Sequence, residues 1–264
     1  MKKIISRQNE TIKRIKSLEK RKYREKNAEI ILEGYRLIKD AVESGLKFKT
    51  VLFVDSIDET KISLVGTLSA SGAEAIETDF PVFEHISETI GSQGLLAVAE
   101  MPSTKLKEIM EDLPELIIFL DCLQDPGNLG TIIRTADAAG AGLVALSSGS
   151  VDAYNAKVLR SAMGSIFHIP VIQKVHGIQF LEELKNHGYN IIAADINGAK
   201  PYGEMSYGKK NCLVIGNEGS GIRNEILDIC DQSVKIPIIG RAESLNAAVA
   251  AGILMYDMAL RKNC

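Results

Sequence analysis

The 264-residue sequence lacks the patterns that announce a metal centre, a disulfide scaffold or a membrane anchor. Its four cysteines, Cys122, Cys212, Cys230 and Cys264, form no CxxC pair. Its four histidines, His85, His168, His176 and His187, make no HxxxH or related ligand spacing. No metal is expected, and reduced structural thiols account for the cysteines. No window approaches the roughly 18 uncharged apolar residues that a membrane span requires, and the opening MKKIISRQNE has basic residues without the apolar core of a signal peptide. These absences lead to the expectation of a cytoplasmic protein with no membrane partner. With 45% apolar and 25% charged residues, the composition is that of an ordinary soluble chain, long enough for one large domain or two of average size.

The net charge of −3 says little about nucleic acid, but its distribution does. Residues 1–26 hold eleven Lys/Arg against three Glu, a local +8 that leaves −11 on the remaining 238 residues. A basic segment on an acidic body suits local capture of a phosphate backbone, each neutralised phosphate releasing counterions. Lys20, Arg21, Lys22 and Arg24 form its densest part and are the candidate RNA-binding residues. A solvated basic helix is the competing reading.

Ile12, Ile15 and Leu18 recur every third residue and predict one helix from Asn9 to about Lys26. AEIILEGYRLIKDAVESG reads as a second helix ending at Gly45. Strands at TVLFVD, AEAIETD and GSQGLLAVAE complete an α/β unit of about 100 residues. MPSTKLKEIMEDLP, with two prolines and mixed charge, reads as a linker. The expected division is therefore 1–102, a linker at 103–114, and 115–264. In the last part, strands such as ELIIFLDCL, GLVALS, NIIAAD and NCLVIG are apolar on both faces and alternate with helices. That pattern demands a largely parallel sheet covered on both sides, with ligands beyond the carboxyl ends of its strands.

Three loops at such strand ends carry unusual residues. In DCLQDPGNLGTIIRTADAAG, Asn128 suits an N-cap, and Arg134 shares a helix face with Gly127 and Gly130, where its guanidinium can engage a phosphate bidentately. In VIGNEGSGI, Gly216, Gly219 and Gly221 reverse the dinucleotide fingerprint, no P-loop Lys-Ser/Thr follows, and the carboxylate of Glu218 would repel a pyrophosphate. A dinucleotide-dependent oxidoreductase is disfavoured on the same grounds. In KIPIIGRAESLNAAVAAG, Ser244 can open a helix whose face of small residues permits close backbone packing against a neighbouring chain or segment.

In this order the three loops resemble the signature motifs of the SpoU (TrmH-type) family of S-adenosylmethionine-dependent RNA 2′-O-ribose methyltransferases, of the SPOUT class, over about Leu116 to Lys262. SRQNETIKRIKSLEKRKYREK, LEGYRLIKDAV and ISETIGSQGLLAVAE resemble the ribosomal-protein-like RNA-binding domain that precedes the catalytic domain in the ribosomal-RNA branch. The resemblance implies an α/β fold whose C-terminal parallel-sheet domain closes in a deep trefoil knot, an exception to the rule against threading. It also implies homodimers built through the knotted domains and an RNA partner, most simply ribosomal RNA. A transfer RNA substrate, or a non-catalytic assembly protein of the same fold, is the alternative.

By the resemblance, S-adenosylmethionine is held by Gly216, Ile236 and Leu245, with Ile215, Asn217 and Ile239 completing the pocket. Arg134 is the principal catalytic residue, with Asn128, Glu218, Ser244 and Asn246 orienting it, the ribose and the loops. The chain departs from the family at SLNAA, where SLNVS is common, so the second hydroxyl is missing at Ala248.

Overall fold

The computed structural model describes residues 2–103, 106–198 and 200–261, which leaves Lys262 and Cys264 outside the described residues. The chain divides into two compact units, Met1–Ser103 with Tyr154–Phe167, and Thr104–Ala153 with His168–Cys264. No helix among the described residues is long and apolar enough to cross a membrane.

The first unit runs β1 (Lys2–Ile4), α1 (Glu10–Ser17), α2 (Arg21–Asn27), β2 (Glu29–Glu33), α3 (Tyr35–Glu43), β3 (Phe48–Val54), α4 (Glu59–Ala70), β4 (Glu74–Thr78), α5 (Phe80–Ile86) and β5 (Leu95–Glu100). Its mixed five-stranded sheet has the order β1-β4-β3-β5-β2, with β5 antiparallel to both neighbours. Two sequence expectations are corrected here. AEIILE is strand β2, because Ile30 and Leu32 alternate into the core and Gly34, at φ +94°, breaks the path into α3. A helical reading of IILE ignored that period of two.

The predicted helix over Asn9–Lys26 is instead two helices, broken after Leu18. Arg24, 5% exposed, donates from Nη1 to the carbonyls of Leu18 and Glu19, both at 2.7 Å, and so satisfies groups that the end of α1 leaves open. Arg24 is thereby corrected from RNA ligand to structural cation: its guanidinium is buried in the fold. Arg24→Ala is expected to destabilise the chain by about 2–3 kcal/mol, since hydrogen bonds from a charged donor are lost inside the protein. A urea titration of both proteins measures this.

Other cations of the basic segment are also engaged. Arg14 meets Glu29 at 2.5 Å, Arg21 meets Glu25 at 2.7 Å, and Lys16 pairs with Glu19. Lys20, Lys22 and Lys26 remain exposed without an ion pair among the described residues, Lys22 lying 4.8 Å from the centre of the Tyr23 ring.

The second unit begins with α6 (Leu106–Glu111), inside the stretch expected to be a linker, and continues through β6 (Leu116–Leu120), α7 (Pro126–Ala138) and β7 (Leu143–Ser147). After α8 (Ala156–Ala162), which groups with the first unit, come β8 (Val171–Val175), α9 (Gly177–Asn186), β9 (Asn190–Ala194), β10 (Lys200–Pro201), β11 (Asn211–Ile215), α10 (Asn224–Leu227), β12 (Gln232–Lys235) and α11 (Ala247–Leu260). The sheet is parallel throughout, ordered β10-β12-β9-β11-β6-β7-β8. Its central strands β6 and β11 are buried at every residue, as strands covered on both faces must be. Phe119, Phe180, Leu181, Ile191 and Val214 fill one side of the core.

The position of the site follows from strand order. From β6 the chain leaves toward β7, whereas from β11 it leaves toward β12, on the other side. Adjacent strands with diverging connections open a crevice at their carboxyl ends, the place where parallel sheets bind ligands.

Candidate active site

The loops after β6 and β11 meet in that crevice. Glu218 Oε1 accepts from the Asp125 N–H (2.9 Å) and from Asn128 Nδ2 (3.0 Å), while Oε2 accepts from the Gln124 N–H (3.0 Å). The carboxylate thus caps the turn that starts α7. Asn128 passes the connection on, because its Oδ1 accepts from Asn246 Nδ2 at 2.8 Å. Asn246 Oδ1 in turn accepts from the N–H groups of Ala248 and Val249. A continuous chain of polar contacts, Glu218–Asn128–Asn246, therefore ties the three loops singled out in the sequence to one another. The second oxygen of Glu218 and the two-ended amides of the asparagines allow each to bridge in this way.

Two helix starts differ from expectation. Asp125, not Asn128, caps α7, its carboxylate accepting from the Asn128 N–H at 2.8 Å with Pro126 in the first turn. Asn246, not Ser244, caps α11. In both cases a Ser/Asn a few residues away had equal local chemistry, and contacts to the other loops decided at α7, where the Asn128 amide is taken by Glu218. The displaced Asn128 side chain is what frees it to join Glu218 to Asn246.

The β11 loop is shaped by close backbone contact. A Cβ at Gly216 would collide with the Gly221 carbonyl carbon and the Ile222 nitrogen, so this glycine is required by packing of the loop on itself. Asn217 exchanges main-chain hydrogen bonds with Gly221 at 2.9 and 3.0 Å. Its side chain accepts from the Gly219 and Ser220 N–H groups and donates to the Cys122 carbonyl at 2.9 Å. Glu218 is carried at the tip of this small hairpin.

Desolvation raises the pKa of Glu218, but hydrogen bonds from Asn128 and from the Asp125 and Gln124 main chain outweigh it and hold the carboxyl below its ordinary value.

Sequence reasoning missed the pair that anchors this loop. Asp121, fully buried at the end of β6, receives Arg223 Nε (3.0 Å) and Nη2 (2.6 Å), together with the Arg223 main-chain N–H (3.1 Å). The side-chain hydrogen bond to Asp121 is the main reason that the Arg223 pKa is raised. The signal was available, since an aspartate directly after LIIFL is a charge at the end of an entirely apolar strand and must find a partner. Arg223→Ala is expected to cost about 3 kcal/mol, because the buried carboxylate keeps only one main-chain donor. Chemical denaturation of Arg223→Ala and Arg223→Lys tests it, the lysine recovering part of the loss.

Arg134 projects from the exposed face of α7 with Thr131 and makes no hydrogen bond or ion pair among the described residues. Gly130, expected on that face, is buried instead. The guanidinium is thus free for an external anion. Ser244 is exposed as well.

The residues expected to hold a cofactor divide into three groups. Ile236 and Leu245 line a small pocket with Ile238, Leu254, Ala194 and Asp195. Ile215 is buried at the end of β11, and Gly216 and Asn217 open the loop that follows it. Ile239 is 99% exposed, away from that pocket's lining. From Pro237 to Leu245 no main-chain group is hydrogen-bonded to the main chain among the described residues. An apolar cavity bordered by free N–H and C=O groups suits a flat heterocycle with polar edges.

Lys20, Arg21 and Lys22 belong to the other unit. No group of three or more His, Cys, Asp or Glu able to hold a metal ion occurs among the described residues. The small-residue face of α11 is used within the chain: Ala248 and Ala251 are buried, and α11 packs on α7 with Gly252 opposite the Thr135 methyl.

Comparison with known proteins places this geometry. Residues 115–256 match the SpoU rRNA methylase family, and residues 9–97 match an MRM3-like substrate-binding domain. The chain is 38% identical to the 23S rRNA (guanosine(2553)-2′-O)-methyltransferase RlmP of Bacillus subtilis, over 98% of this chain and 99% of that protein. Among solved structures, an AdoMet-bound rRNA methyltransferase from Sinorhizobium meliloti superposes with a TM-score of 0.88 at 31% identity, covering 100% of this chain and 98% of that one. The SpoU methyltransferase AviRb from Streptomyces viridochromogenes, in complex with AdoMet, also gives 0.88, at 29% identity and with 97% and 98% covered.

Proposed function

The chain belongs to the SpoU rRNA methylase family, and from that membership we propose that it methylates a ribose 2′-hydroxyl of ribosomal RNA with S-adenosylmethionine as donor. It is an S-adenosylmethionine-dependent RNA methyltransferase. The observation that carries the site assignment is the Glu218–Asn128–Asn246 connection, which joins three loops at the crevice of a parallel sheet, with an unpaired arginine on the helix that Asn128 begins.

The free main chain of 237–245 and the apolar walls from Ile236, Ile238, Leu245 and Leu254 fit an adenosine moiety. The cofactor supplies a methyl group made electrophilic by its sulfonium. The protein's tasks are alignment and removal of the hydroxyl proton. A guanidinium holds its proton too tightly to serve as a free base. That of Arg134 serves by clamping the neighbouring phosphate and stabilising the developing alkoxide. Glu218, Asn128 and Asn246 are positioning residues that fix the start of α7 against the other two loops. Ser244 offers a hydroxyl to the ribose side.

The same reading takes the exposed Lys20, Lys22 and Lys26 as the basic contacts to RNA, and divides the chain near residue 103 into a substrate-binding and a catalytic part. It takes the C-terminal segment as the threaded strand of a trefoil knot. A homodimer is supported by α11, where Val249, Tyr256 and Leu260 are exposed at spacings of seven and four and so share one face. The cytoplasm is where such an RNA and S-adenosylmethionine are found together. The test is to map ribose methylation in ribosomal RNA from cells with and without the gene, and to restore the missing mark with purified protein and labelled S-adenosylmethionine. Absence of any difference in ribosomal RNA, with a difference in transfer RNA, would replace the substrate assignment.

A further inference from the structure

A cleft of about 530 Å³ lies within the first unit, between the β2–α3 corner, the loop after α5 and helix α8. Its volume falls in the range of small-ligand sites, large enough for a mononucleotide. Leu37, Leu159 and the half-exposed Met163 make its lining predominantly apolar, together with the Tyr35 side chain. Arg36 and Arg160 line it as well, and neither has an ion pair or hydrogen bond among the described residues.

Two acids, Glu33 and Asp40, also line the cleft, neither within ion-pair distance of Arg36 or Arg160, and the charge of Arg160 acts on nearby Glu88. Glu33 accepts from Ser87 Oγ (2.6 Å) and the Glu88 N–H (3.2 Å), and the third cation, Lys39, already faces Glu43 at 3.6 Å. Gln93 Oε1 accepts from the Tyr35 N–H at 3.1 Å, which leaves the amide nitrogen as a donor. An apolar slot with an aromatic side chain and two guanidinium groups outside any ion pair, in a lining of three cations against two acids, is complementary to one particular chemistry: a planar base attached to phosphate.

We propose that this cleft holds one unstacked nucleotide of the RNA substrate, with the base against Tyr35, Leu37, Leu159 and Met163 and its flanking phosphates on Arg36 and Arg160. The proposal rests on the RNA-methyltransferase reading above and adds a base-holding subsite outside the crevice where methyl transfer takes place. It gives the first unit a means of selecting a looped-out or terminal segment over a continuous helix, whose bases stay stacked. Its contribution falls on binding, because none of these residues belongs to the Glu218–Asn128–Asn246 connection.

Ribosomal RNA purified from cells lacking the gene is the probe, tested with the full chain by filter binding across a salt series and by steady-state methyl transfer. Two variants interrogate the cleft differently. Arg36→Ala/Arg160→Ala removes the phosphate contacts from exposed positions, and Thr89→Trp fills the cleft without changing charge. Each should weaken RNA binding about tenfold and raise KM with little change in kcat. Only the double alanine variant should make the salt dependence shallower, by a slope of about two.

S-adenosylmethionine affinity, measured by calorimetry, should be unchanged in both. Unaltered RNA affinity in either variant overturns the proposal, and weakening by the alanine pair alone reduces the arginines to a surface patch. If the unmodified protein binds RNA but transfers no methyl group, the enzymatic reading fails while the affinity comparison still decides the fate of the cleft.

Discussion

Arg134→Ala is expected to lower methyl transfer to RNA by about a thousandfold, the upper range for removing one preorganised donor at a developing oxyanion. S-adenosylmethionine affinity should stay within about threefold, because Arg134 stands on the exposed face of α7 and lies outside the apolar pocket below Ile236 and Leu245. Arg134 has no partner among the described residues, so alanine there leaves no buried group unpaired, and the melting temperature should barely move. Arg134→Lys separates charge from geometry: a lysine restores one positive charge but not the paired donors, and should recover only a small part of the rate. Single-turnover methylation with saturating cofactor is the measurement. A rate within tenfold of the unaltered enzyme would remove Arg134 from the reaction.

The second large effect is expected at Glu218. One carboxylate holds three donors, two from the main chain of the β6 loop and one from Asn128, and Asn128 in turn holds Asn246. Glu218→Gln keeps one acceptor oxygen where two oxygens now serve three donors. The α7 start and the α11 cap then lose their common reference, and a shift of about 1 Å in reacting groups is enough for a hundredfold loss of rate. Asn128→Asp should act in the same direction, because the carboxylate it introduces faces Glu218 and repels it. Both should lower kcat far more than they raise KM for RNA, the signature of misalignment.

The pH dependence has a definite sign. The folded-state pKa of Glu218 lies below the ordinary 4.5. Its contribution to stability is therefore complete above about pH 5 and is lost as pH falls through the folded-state value. Urea titrations at intervals from about pH 3 to 7 should show the unaltered protein losing its advantage over Glu218→Gln only at the acid end.

Much of this site was legible in the sequence because its chemistry is local. Glu218 stands out as a carboxylate in the loop just after apolar strand β11, while Arg134 and Asn246 belong to the helix after β6 and to the start of the helix after β12; parallel-sheet geometry brings these strand-end segments to one edge. What pairs with what was not legible. Asp125 and Asn128 compete for the same cap with equal propensity, and the winner is set by how Glu218, ninety residues away in the chain, receives the loser's amide. Asp121 and Arg223, 102 residues apart, look from sequence like one strand-end acid and one surface base. In the basic segment, charge counting gave Arg24 the same weight as Lys22, although one cation is buried against carbonyls and the other is exposed. Composition records charge and is blind to burial.

The sequence by itself determined the class of fold, through the apolar continuity of β6, β7, β9 and β11, and the three loops that carry the chemistry, through their unusual glycine, asparagine and carboxylate residues in order along the chain. Only the tertiary structure decided that AEIILE pairs as strand β2 rather than coiling, that α11 spends its small residues on α7, and that Asn128 is a bridge rather than a cap. Those decisions depend on free energy shared between segments distant in sequence: a strand needs a neighbour, a close-packed helix needs a partner surface, and a hydrogen bond needs both ends. No property of either segment alone contains that term.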